Sequence, residues 1–78
     1  MKRPQLIRLG QRVLARRKSL DLSQEDLAGR ADLHVTYVSG VENGRRNVSF
    51  TTLLTLALAL ELSVAQLTDD PMFGPPRT

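Results

Sequence analysis

Hydrophobic residues recur along this chain at helical spacing in short blocks separated by polar or turn-forming residues. Leu6, Leu9, Val13 and Leu20 give a first helix over residues 5–19, preceded by a frayed arm at residues 1–4. Gly10 lies inside that helix at some cost in propensity. Ser23 is a good N-cap for a second helix, with Glu25 and Asp26 in the first turn, where the helix dipole favours acids. Its inward positions are Leu27, Ala28 and Ala31, and Gly29 takes an exposed position without an evident reason. Asp32 stands where the chain must bend sharply and tolerates the left-handed conformation better than most residues. Leu33 then enters the core.

A third helix spans residues 34–43, with His34 as its N-cap. At about 100° per residue, Val38 and Val41 lie on its inner side, with Glu42 at the edge of that side. Thr36, Tyr37, Ser39, Gly40 and Asn43 lie outside. Lys and Glu normally fill a solvated helix surface, whereas this one is uncharged, small and rich in hydrogen-bonding groups. Two short helices joined by a tight turn, the second with such a face, are what a major-groove reading helix requires. Gly44 supplies a left-handed residue after the third helix, and Arg45 and Arg46 project from the loop beyond it.

Ser49 caps a fourth helix over residues 50–60. Leu53, Leu56, Ala57 and Leu60 form its core stripe, and Leu54 and Leu58 lie about 100–140° away from it. That second stripe is either a dimer surface or a seat for the C-terminal tail of the same chain. Ser63 caps a short fifth helix over residues 64–67. Residues 69–78 hold three prolines and a glycine from Pro71 onward and read as a disordered or loosely packed tail. The domain proper is residues 5–68.

Seventy-eight residues make one domain. A chain of this size buries only about 60–65 % of its unfolded surface, so a dimer interface would add useful stability. Cysteine is absent, which removes disulfides and Cys-based zinc sites. No apolar run reaches the roughly 18 residues of a membrane span, and no secretory h-region follows the basic start, so a cytoplasmic protein is expected. Lys2, Arg3, Arg8, Arg12, Arg16, Arg17 and Lys18 all precede the first acid, Asp21, and the net charge is +3. Such a block is a solvated helix face or a nucleic-acid footprint. Beside the two-helix pattern, phosphate is the expected partner.

The spaced motifs Leu22-Ser23-Gln24, Asp26-Leu27-Ala28, Tyr37-Val38-Ser39, Val41-Glu42-Asn43-Gly44-Arg45 and Leu56-Ala57-Leu58-Ala59-Leu60 resemble the Cro and phage-repressor type (Xre-type) helix-turn-helix regulators. Residues 36–42 and Arg45-Arg46-Asn47 look most like the controller proteins of restriction–modification systems. The resemblance implies an all-α, five-helix, lambda-repressor-like domain that binds duplex DNA as a homodimer on a (pseudo)palindromic operator. It also implies that Arg17 pairs with Glu42, for which an unpaired carboxylate near the core would be costly. The open alternative is a solvated Glu42 without a fixed partner.

Val35, Thr36, Ser39 and Gly40 are placed for bases, with Val35 and the Thr36 methyl suited to a thymine methyl. By resemblance Arg46 also reaches base edges near the groove. Gln24, at the N-terminal end of the second helix, and Tyr37, Asn43, Arg45, Asn47 and Ser49 are candidates for phosphate and sugar contacts. The family prefers Ser, Thr or Asp where His34 stands, so a weaker cap is expected there.

Enzyme chemistry finds no support. The single histidine has no ligating companion, the serines have no base at a suggestive spacing, and no Gly-rich phosphate loop follows a strand. No cofactor, metal or small-molecule substrate is implied. The competing reading is a protein-interaction module, such as an antitoxin that neutralises a partner protein, with DNA binding secondary.

Overall fold

The computed structural model describes residues 3–74 and is all-α. Helices α1 (Pro4–Ser19), α2 (Gln24–Ala31), α3 (Val35–Glu42), α4 (Phe50–Ala59) and α5 (Val64–Leu67) follow in order, and a 3-10 turn (Pro71–Phe73) closes the described chain. Helix α1 begins at Pro4, one residue before the expected start. Proline is pre-organised for a first helical position because its missing N–H has no intrahelical role there. Arg3 of the expected arm is the N-cap of α1, and Met1 and Lys2 lie outside the described residues.

Helices α1 to α4 and α5 close on one core. Val13, Leu27, Val38, Leu56 and Leu60 are fully buried, with Val41 and Leu67 beside them. Leu53, expected in the core stripe of α4, is only half-buried at its margin. Ser23, Ser49 and Ser63 each cap a helix by accepting a backbone N–H, from Asp26, Thr52 and Gln66 respectively. No helix among the described residues is long and apolar enough to cross a membrane.

Two expectations change. Gly10 is there for packing: a Cβ at that position would run into the Val41 carbonyl and lie 2.6 Å from the Glu42 carbonyl oxygen. Only glycine lets α1 come this close to the end of α3. The tail, expected to be loose, is held through Gly74. Asp70 caps the 3-10 turn through the Met72 N–H, and its other oxygen lies 3.2 Å from Arg8 Nε and 3.7 Å from Arg12 Nη1. Phe73 packs against the core. Residues 75–78 lie outside the described residues.

Candidate nucleic-acid interface

Local chemistry fixes the α2–α3 unit. Ser23 and Asp26 form a reciprocal capping box, each side chain accepting the other's backbone N–H at 2.9 Å. Donation from the Ser23 backbone N–H, and then from the Ser23 side chain, holds the Asp26 carboxyl below the ordinary carboxylate range. Asp32 closes α2 in the left-handed conformation (φ 54°), and its N–H turns back to Ala28 and Gly29 carbonyls. The chain then enters α3 at His34, which makes no side-chain cap bond, in line with its departure from the usual cap residues.

Thr36 and Val35 are exposed on α3, and Ser39 and Gly40 are half-buried. Asn43 Nδ2 donates to the Ser39 carbonyl at 2.8 Å, with the Ser39 hydroxyl 3.4 Å away. Tyr37 leans toward the core, and its hydroxyl donates to the Asn47 carbonyl at 3.3 Å. Gly44 is left-handed (φ 71°) and packs closely on Ile7, so the loop after α3 starts in a fixed place. Arg45 and Arg46 are exposed there, and the Arg46 guanidinium carbon is 5.6 Å from the centroid of the Tyr37 ring. Asn47 Oδ1 accepts its neighbour's Val48 N–H, and Ser49 is occupied as the α4 cap.

Behind this face lies a buried polar network. Arg17 Nε donates to Glu42 Oε2 at 2.6 Å and Nη2 to Oε1 at 3.0 Å, a two-pronged pair of the kind that fixes both planes. Arg17 is 8 % exposed, and its third donor, Nη1, reaches the Leu22 carbonyl at 2.8 Å. The hydrogen bond to Glu42 raises the Arg17 pKa further above its ordinary value. Gln24 Nε2 also donates to Glu42 Oε1, at 2.9 Å. The network therefore joins α1, the start of α2 and the end of α3 through one carboxylate.

Much of the basic block on α1 finds its acceptors within the protein. Arg17 lies in the core network. Arg12 donates to the Leu67 carbonyl and, at 2.9 Å, to the Gln66 carbonyl, which satisfies the C-terminal end of α5. Arg16 Nε does the same for α4 at the Leu60 carbonyl, 2.9 Å away. Orphan carbonyls and the negative end of a helix dipole attract cations as phosphate does. A count of charges along the chain cannot separate the two. The spacing offers one clue: Arg12 and Arg16 are four residues apart and next in sequence to Val13 and Arg17, so they border the buried stripe.

Phe50, Leu54 and Leu58 are 67 %, 39 % and 65 % exposed on α4. They follow each other at i, i+4 and i+8, so they share one stripe. Phe50 was readable at that spacing and extends the stripe by a turn. Among the described residues, 69–74 leave this stripe open, since Phe73 seats elsewhere. No group of His, Cys, Asp and Glu that could hold a metal occurs among the described residues.

Comparison with known proteins agrees with this geometry. The helix-turn-helix family model matches residues 13–67. Control protein C.MunI of a Mycoplasma species is 42 % identical over 65 residues, which cover 82 % of this chain and 88 % of that protein. The structure of the restriction–modification controller protein C.AhdI from Aeromonas hydrophila superposes with a TM-score of 0.81 at 43 % identity, covering 83 % of this chain and 98 % of that one. The controller protein C.Esp1396I, solved as a tetramer in complex with its natural 35 base-pair operator, gives 0.81 at 28 % identity, with 87 % and 90 % covered. Members of this family are non-catalytic. The chain belongs to the helix-turn-helix family of sequence-specific, duplex-DNA-binding transcriptional regulators, and within it resembles the restriction–modification controller proteins.

Proposed function

We propose that the chain acts in the cytoplasm as a homodimer on a (pseudo)palindromic operator, with α3 of each protomer in one of two successive major grooves about 34 Å apart. The observation that carries this reading is the outward side of α3, exposed and uncharged at Val35 and Thr36, with exposed Arg45 and Arg46 at its end. Val35 and Thr36 meet base edges, with Ser39 beside them and Arg46 reaching in from the loop. Arg45, Asn43, Asn47, Tyr37, Ser49 and the α2 N-terminus at Gln24 line the phosphate track and fix register. Gln24 is tied to Glu42, so its contact is held in place by the same network that holds the end of α3.

Dimerisation uses the Phe50, Leu54 and Leu58 stripe, an apolar surface that a lone domain would make polar. The tetramer of C.Esp1396I on its operator supports a further step, in which two dimers occupy neighbouring sites. Selection of bound duplexes from random-sequence DNA tests the whole reading: a palindromic consensus is expected, and no enrichment over random sequence would sink it. Leu54→Glu with Leu58→Glu tests the stripe by sedimentation. A folded monomer is expected, with affinity lost far more for the palindrome than for a half-site. A double mutant that sediments as a wild-type dimer at micromolar concentration places the interface elsewhere.

A further inference from the structure

Gly40 is a poor helix former in the middle of α3, and no unusual backbone angle requires it: the left-handed residues are Asp21, Asp32, Gly44 and Glu61. Its surroundings are specific. A Cβ built on Gly40 would lie 2.6 Å from Arg46 Cγ, 3.3 Å from Nε and 3.5 Å from Cδ, and these are its three nearest atoms. The stem of Arg46 therefore rests where a side chain would stand. Its head lies over Tyr37, 5.6 Å from the ring centroid, and Tyr37 is one helical turn before Gly40 on the same flank. The same tyrosine donates to the Asn47 carbonyl, and the Arg45 N–H donates to the Gly40 carbonyl at 2.9 Å. Loop and helix thus hold the arginine from both ends.

From this geometry we infer that Gly40 is a positioning residue for Arg46: its missing side chain is a notch that seats the arginine on the reading helix. The inference rests on the major-groove role given to α3 above. A guanidinium recognises a base through a planar fork, so its register and plane decide selectivity. Left on a free loop, the same group would still be drawn to phosphate, which carries no sequence information. Seating the stem in the Gly40 notch turns a loop charge into part of the α3 surface. Gly40 then acts through Arg46 and not by meeting a base itself.

The test is Gly40→Ala in two backgrounds, wild type and Arg46→Ala. Alanine is the better helix former, so the variant keeps its fold, which circular dichroism checks. The probes are a duplex selected from random DNA by the wild-type chain and single-base variants of that duplex. In the wild-type background, Gly40→Ala should cut the preference for the selected duplex about tenfold, the size of one modest bidentate base contact. In the Arg46→Ala background it should cut nothing further. An equal loss in both backgrounds would mean that Gly40 itself approaches the DNA, and no loss in either would mean that Arg46 needs no notch; both overturn the inference. A second readout needs no DNA. Tyr37 is the sole tyrosine, and its ring should shift the side-chain proton resonances of Arg46. Gly40→Ala should return them toward unstructured values, and unchanged resonances count against the notch. A wild-type chain that selects no duplex would defeat the DNA reading instead, leaving the resonances to decide the packing.

Discussion

Arginine does two different jobs in this molecule, and the contrast between α1 and the loop after α3 shows what separates them. On α1, Arg12, Arg16 and Arg17 each reach an acceptor supplied by the protein: a helix end, another helix end, and a buried carboxylate. In the loop, Arg45 and Arg46 are exposed, and no carboxylate pairs with them among the described residues. The residue type is the same, and α1 carries more cations: Arg8, Arg12, Arg16, Arg17 and Lys18 against Arg45 and Arg46. Arg12, Arg16 and Arg17 are occupied within the fold, whereas Arg45 and Arg46 leave their charge available to a partner. A basic stretch is therefore evidence of a nucleic-acid surface only after the intramolecular acceptors within its reach have been subtracted.

The largest expected effect lies at the buried end of this contrast. Glu42→Ala leaves the Arg17 guanidinium in place with only the Leu22 carbonyl to meet it. Removing one member of a buried pair costs about 3–5 kcal/mol, which in a domain this small lowers the melting temperature by roughly 12 °C or more. Replacing both members together, Arg17→Met with Glu42→Leu, should recover much of the loss, because two desolvated charges leave at once. A Glu42→Ala protein that melts like the wild type would mean the carboxylate is solvated.

Arg16 and Arg45 form a crossed pair of smaller effects. Arg16→Ala frees the Leu60 carbonyl at the end of α4 and should cost about 1–2 kcal/mol of stability in urea unfolding. The slope of log affinity against log salt should stay as it was. Arg45→Ala should do the reverse, with stability within about 0.5 kcal/mol of wild type and the slope flatter by about one unit, uniformly across DNA sequences. A flatter slope in Arg16→Ala would return α1 to the phosphate surface.

The same contrast explains what was legible before the structure. Periodicity exposed the helices because burial of one face is a local pattern: Leu27, Val38 and Leu56 stand where their spacing put them. Polar and turn residues exposed the caps at Ser23, Ser49 and Ser63, since a cap bonds to the chain three residues on. Contacts between distant segments were not legible. Gly10 looked like a weakness until the backbone of Val41 and Glu42 was found against it. Gln24 reads in the sequence only as a candidate phosphate contact, and its bond to Glu42 spans 18 residues. Phe73 sat in a proline-rich tail whose composition argues for disorder, yet Asp70 and two arginines of α1 fasten that segment. Gly29 stays without an explanation: nothing lies within 4 Å of where its side chain would be.

The smallest effect concerns the acids at the start of α2, the counterpart of the arginines at helix ends. Asp26 is exposed, and its carboxyl is held low by the Ser23 backbone N–H and, after it, by the Ser23 side chain. A group whose pKa is lower in the folded chain than in the unfolded one binds its proton less readily when folded. Its contribution is fully present above the ordinary carboxylate range, near pH 4, and disappears as the pH falls through the lower folded value. Asp26→Asn should therefore be slightly less stable than wild type at pH 7, with the two proteins converging as the solution is acidified below about pH 4. If the difference between wild type and Asp26→Asn is the same at pH 7 and at pH 2.5, the capping box is held by geometry alone and the charge of Asp26 adds nothing.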